Sequence, residues 1–199
     1  SEIGPLRSVI CHTPGPELLA VTPSNREQFL YDDIIDLEQA RREHGTFREV
    51  LAQFSDVLEV RDLLAEIVDE PEVREFLVAQ VRAASASDPL DGALEDLSGE
   101  ELIDTLINGR EAPQGPVSQL LHRIGYELPP LPNLFFTRDA AMVVNSGVIV
   151  GAMKYAVRWT EELLMKVLFH YHPRLGNDGF LYDGSEELRG DHTIEGGDV

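Results

Sequence analysis

Asp139 and Glu195 are two carboxylates that could close on one cation, and Arg158 lies between them in the chain. Asp139 ends the run Asn133-Leu134-Phe135-Phe136-Thr137-Arg138-Asp139 and reads as following a short strand, where side chains project from a sheet edge. Glu195 opens Glu195-Gly196-Gly197-Asp198, whose glycines let backbone turn sharply or approach a ligand closely. Two carboxylates facing one cavity hold a guanidinium in a planar, bidentate fork. Arg158 would then bind an anionic group at the far end of the same molecule, with Asn133 as a polar partner and the Phe136 ring stacked on the flat cation. The set suits a zwitterion with a cationic head and an anionic tail, provided that the residues converge. Plainer roles stay open at each position. An Asp after a strand forms turns or caps helices, a Gly-Gly-Asp makes a loop, and an Arg at a helix start makes a surface ion pair.

The elements that must position these groups follow from periodicity. Residues 7–12 read as a buried strand closed by Pro14-Gly15-Pro16, and a helical stretch with Phe29 and Leu30 follows Pro23-Ser24-Asn25. From about Asp36 to Phe54, Leu37, Ala40, Phe47, Val50, Leu51 and Phe54 recur at helical spacing on one face, and His44 shares that stripe. Val57 to Val60 reads as a strand, giving a β-α-β opening. Residues 61–125 contain helix signals and almost no strand signal. Pro71 suits a first helical turn, Ser98-Gly99-Glu100-Glu101 matches a capping box, Asn108-Gly109 is a stop, and 83–92 is a connector. Strands return at 134–136, 141–144 and 148–150, with a turn at Asn145-Ser146-Gly147. A helix from Trp159 to Tyr171 turns Trp159, Leu163, Leu164, Val167 and Leu168 inward and stops before Pro173. A glycine-rich tail of loop and short strand leads to Glu195. Strands alternating with helices around a helical block predict an α/β fold with an insertion.

Composition narrows the partners. A chain of 199 residues with 43% hydrophobic content can bury a real core. Its formal charge of −20 repels nucleic acid and anionic membrane, while much of the excess acid falls on helix faces and loops. A single cysteine, Cys11, excludes an intramolecular disulfide and sits in a strand-like apolar run, where a thiol packs more often than it reacts. Neither a secretory signal nor an apolar segment of transmembrane length is visible, so the expectation is a soluble cytoplasmic protein.

Taken together, several stretches resemble bacterial arginine deiminase, of the guanidine-modifying superfamily with the pentein (α/β-propeller) fold. They are Ser1 to Leu6, His12-Thr13-Pro14-Gly15, Thr22-Pro23-Ser24, Tyr31-Asp32-Asp33, Ala40 to His44, Pro132 to Asp139, Met153 with Arg158, and Ile194 to Asp198. The resemblance implies hydrolysis of L-arginine to citrulline and ammonia, with no metal and no organic cofactor, and a homo-oligomer is the expected assembly. By its pattern Asp139 and Glu195 would be catalytic, Asn133 and Arg158 would bind the substrate carboxylate, Leu30 and Phe136 would line the pocket, and Asp198 would join the substrate-binding set. The family's nucleophile is a late cysteine aided by a His-x-Asp pair. Neither occurs before Val199, and Ala140 replaces a proline that often follows the Arg-Asp. The expected organisation is therefore an incomplete propeller: 1–61 as its first part, 62–125 as a helical insertion and 126–199 as its continuation, ending before the nucleophile region. Residues 1–199 alone are expected to be inactive and to associate through uncovered edges.

Rival readings are a related guanidine enzyme (an amidinotransferase or a dimethylarginine hydrolase) and a non-catalytic arginine-binding or interaction fragment. A metal bound by His170, His172 or His192 with Glu195 and Asp198 is disfavoured, because the spacing matches no standard ligand signature.

Overall fold

The computed structural model describes residues 4–84, 94–113, 125–186 and 192–199. Of the expected connector, residues 85–92 lie outside the described set, as do Ser1 to Ile3. Strand β1 (Ser8–Cys11) pairs in parallel with β2 (Asp56–Glu59), Ser8 opposite Asp56. Between them runs α1 (Leu37–Leu51), whose start is fixed by the Asp36 carboxylate accepting from the Gln39 N–H at 2.7 Å. The β-α-β opening read from periodicity is thus present.

Four further helices and a strand pair follow. They are α2 (Val60–Ile67), α3 (Pro71–Ala84), α4 (Gly99–Asn108), and the short antiparallel pair β3 (Arg110–Glu111) and β4 (Tyr126–Leu128), then α5 (Thr137–Ala140). Ser98 and Glu101 form the expected capping box on α4, and Gly109 ends it at φ 77°. Strands β5 (Ala141–Val144) and β6 (Gly147–Val150) form a hairpin whose turn places Asn145 at φ 56°, a conformation asparagine tolerates well. Helix α6 (Trp159–Tyr171) leads to β7 (Phe180–Asp183), which adds to β6 in parallel and completes a three-stranded sheet of order β5-β6-β7. The architecture is mixed α/β with small sheets. Among the described residues no helix is long and apolar enough to cross a membrane.

The main core joins Leu64, Leu77 and Leu102 of α2, α3 and α4 to Leu134, Leu164 and Leu168. Helix α6 is its axis: Thr160 to Leu168 are buried all round the helix, Glu161, Glu162 and Lys166 included. Each of these charges therefore needs a partner, and Lys166 finds Asp183 at 2.7 Å and Glu186 at 2.8 Å.

Two expectations need correction. Residues 134–136 are not a strand. The Leu134 N–H donates to the Leu131 carbonyl at 3.0 Å and the Phe136 N–H to that of Asn133 at 2.9 Å, so the backbone is spent on local turns. Strand propensity in Leu-Phe-Phe reflects burial as much as backbone preference, and Leu134 is buried within the turn. Consequently Asp139 does not follow a strand; it lies in α5, immediately before β5. The apolar stripe of α1 is also only half used. Leu37 and Ala40 pack on a small cluster of Leu18, Val21, Phe29 and Tyr31, whereas Phe47 and Phe54 remain 55% and 73% exposed.

Candidate active site

Turn bonds fold the 133–139 segment onto itself. The Phe136 N–H donates to the Asn133 carbonyl at 2.9 Å and the Asp139 N–H to the Phe136 carbonyl at 3.1 Å, so residues spaced by three share one short run of backbone. The Asn133 amide is buried and donates to the Phe29 carbonyl at 2.9 Å. Next to that carbonyl, Leu30 adopts φ 66° and is 39% exposed, a strained backbone for a leucine. The Tyr31 hydroxyl donates to the Pro132 carbonyl at 2.6 Å and closes the junction from the other side. Burial, reinforced by Glu161 and Glu17, pushes the Tyr31 phenol well up.

Arg158 stands at the N-cap of α6 and is buried. Its Nη1 donates to Asp139 Oδ2 at 2.9 Å. Its Nε donates to both Glu161 oxygens at 3.0 and 3.1 Å, and its Nη2 to Glu161 Oε2 at 2.8 Å. Burial pushes the Glu161 carboxyl up to about 7, with Arg158 offsetting part of that push. The Arg158 guanidinium faces the same burial, but Glu161 and Asp139 outweigh it and hold its pKa up.

Glu195 is positioned differently. Its Oε1 accepts from the Lys154 N–H at 3.0 Å, and its own N–H donates to Asp198 Oδ2 at 3.0 Å, so Glu195 and Asp198 cap each other across one turn. Backbone bonds between Ile194 and Ala152, at 2.8 and 3.1 Å, hold this turn beside β6. Arg138 ties it to α5: Nε donates to the Gly196 carbonyl and Nη2 to that of Val199, each at 3.0 Å. A side chain at Gly196 would come within 2.3 Å of the Arg138 carbonyl, so glycine is required there by close approach.

The structure thus unites Asp139 with Arg158 directly, Asn133 with the loop bearing Leu30, and Glu195 with Asp198. Phe136 and Asp139 open onto a groove of about 910 Å³, walled opposite by His44 and Phe47 of α1 and by Ile34 and Ile35.

At the ends of β1 and β2 lies a polar cluster that residue spacing did not disclose. His12 is buried with Nε2 3.2 Å from Glu17 Oε1 and Nδ1 3.4 Å from Glu59 Oε1. Glu59 also accepts from the Thr13 N–H and hydroxyl at 2.9 and 2.8 Å, and Arg48 Nη1 lies 3.2 Å from its Oε2. Burial opposes a charged imidazole, yet Glu17 and Glu59 outweigh it and raise His12 above its ordinary 6.5. A group raised in the folded state contributes stability that is complete below its unfolded value and disappears as pH rises through its folded value. The thermal midpoint should therefore fall as pH rises above about 6.5, and His12→Gln should flatten that slope. Glu161 adds a slope of the same sign, so the test is the difference between wild type and variant. Equal slopes would show that His12 is not protonated in the native state.

Glu161, Glu17, Glu59 and Arg138 were missed at the sequence level. Glu161 left a usable signal: an acid in a largely apolar helix needs a cation, and Arg158 lies three residues before it. Glu17 and Glu59 left none, because their partners are distant or loop-borne. The histidines considered for a metal lie apart. His170 stacks between Phe76 and Phe180, and His172 Nε2 is 3.1 Å from Glu66. Among the described residues no group of three or more His, Cys, Asp and Glu side chains is arranged to hold a metal.

Comparison with known proteins gives the geometry a context. Residues 27–199 match the family model described as arginine deiminase. The chain is also 34% identical, over 213 aligned positions, to an arginine deiminase of Metamycoplasma arthritidis (strain 158L3-1), an alignment covering 100% of this chain and 50% of that protein. The chain therefore spans about half the length of the curated relative it matches.

Proposed function

The chain belongs to the arginine deiminase family, and from that premise we propose that it forms the substrate-gripping part of an enzyme converting L-arginine and water to L-citrulline and ammonia. The observation that supports this most is the Asp139–Arg158 pair, of which Asp139 lines the groove: one carboxylate for a guanidinium and one guanidinium for a carboxylate. In this reading Asp139 and Glu195 grip and orient the substrate guanidinium. Arg158 and Asn133 take its carboxylate, Phe136 and Leu30 line the pocket, and Asp198 holds the Glu195 turn.

The attacking thiolate comes from outside residues 1–199. It would add to the guanidinium carbon, ammonia would leave, and water would release citrulline from the covalent intermediate. Cys11 is a poor candidate for that role. It is buried, and its thiol is pushed up by burial and by Glu59. We read the small sheets as modules of an α/β-propeller and 62–125 as its helical insertion. The same reading has the protein working in the cytoplasm as a homo-oligomer without metal or organic cofactor.

Citrulline and ammonia release from L-arginine, measured on residues 1–199 and on the full reading frame side by side, tests the proposal. Turnover in the longer protein alone is the expected result. Turnover by residues 1–199 would overturn the thiolate route. Silence in both would favour another guanidine substrate, such as a methylated arginine or an amidino-transfer pair, or a binding role.

A further inference from the structure

We propose that Glu161 is a positioning residue for substrate recognition, holding one edge of the Arg158 guanidinium so that the remaining donors face Asp139 and the substrate carboxylate. The role rests on the deiminase reading and extends it to a residue that touches neither substrate nor reacting atoms.

A guanidinium has five N–H groups. Glu161 takes those of Nε and one of Nη2, with contacts of 3.0, 3.1 and 2.8 Å, and Asp139 takes one of Nη1 at 2.9 Å. Beyond these contacts one N–H remains on each Nη for a ligand anion. The edge assigned to Glu161 is therefore what decides which edge is offered to a ligand.

Helix electrostatics point the same way. Arg158 occupies the N-cap of α6, the end where a helix dipole disfavours a cation, and it is buried there. Glu161 lies in the first turn of that helix, where a carboxylate is favoured, and its side chain is only 1% exposed. It offsets the unfavourable placement of Arg158 and does so through a rigid element. With Glu161 neutralised, Asp139 would be the only carboxylate among these contacts left to attract the guanidinium. Arg158 would then keep its Nη1 contact to Asp139 but lose the fixed rotation that turns its remaining donors toward the substrate carboxylate.

The test uses the full-length protein, with steady-state kinetics on L-arginine and inhibition by agmatine, which has the guanidinium but no carboxylate. Glu161→Gln should raise KM for L-arginine about 30-fold with kcat within about threefold, the size expected of a misplaced contact. The agmatine inhibition constant should stay within about threefold of wild type, because agmatine makes no call on Arg158. Glu161→Asp keeps the charge on a shorter arm and should recover part of the arginine KM. If the glutamine variant does not fold, the aspartate variant decides alone, since a selective rise in arginine KM supports the role. Equal weakening of arginine and agmatine, or no change in either, overturns the positioning role while leaving an active wild type as a deiminase. A wild type silent toward L-arginine overturns the deiminase reading, and this role with it.

Discussion

Asp139→Asn should lower kcat for citrulline formation about 10³-fold in the full-length protein while the fold survives. The asparagine keeps the size of the side chain and one oxygen for the 2.9 Å contact with Arg158 Nη1. It loses the negative charge, which matters most as the guanidinium carbon becomes tetrahedral and its nitrogens take up and release protons. Arg158 retains Glu161 as its buried partner, and Asp139 is partly exposed, so the cost in stability is about 1 kcal/mol or less. The decisive comparison is kcat against the urea midpoint of the same preparation. A variant within about tenfold of wild-type kcat would remove Asp139 from the chemistry. A variant whose midpoint collapses would show that its role is architectural.

Arg158→Met should destabilise the fold by about 1–2 kcal/mol near pH 8 and more at higher pH, because it leaves Glu161 buried without its cation. The loss should depend on pH in a definite direction. Burial already raises Glu161 to about 7 beside Arg158, and without the guanidinium it rises further. A carboxyl raised in the folded state contributes stability that is fully present below its unfolded value and is lost as pH rises through its folded value. The deficit relative to wild type should therefore be small near pH 5 and largest above about pH 8. Urea unfolding at both pH values measures it, and an equal deficit at each would show that Glu161 is not the group left stranded. Adding Glu161→Leu to Arg158→Met should restore much of the stability, as apolar replacement of a buried ion pair often does. Arginine affinity should not return. That contrast would place the value of the pair in recognition.

The sequence reading reached the elements whose ends are set by near neighbours. Ser98 caps α4 with Glu101 three positions away, so local composition was enough to read that cap, and apolar periodicity placed the start of α1 at about Asp36, which the structure shows as its cap. Asp139 and Arg158 were picked out by residue type and family resemblance, yet their direct pairing across nineteen positions of sequence was not legible. The turn at 134–136 was misread because an apolar, aromatic triplet fits a strand and a buried turn equally, and only the partners of its N–H groups separate the two.

By itself the sequence determined the family stretches, the alternation of helices and strands, and the cap of α4, because each rests on residue identity or on contacts a few positions apart. Only the tertiary structure decided what the charges face. It buried α6 on every side and so required partners for Glu161, Glu162 and Lys166. It drew His12 between Glu17 and Glu59, docked the Glu195 turn through Arg138, and left Phe47 and Phe54 of the α1 stripe uncovered. The physical reason is the same in each case. Desolvation and Coulomb energies depend on which distant groups packing brings within a few ångströms, and no local pattern encodes that distance.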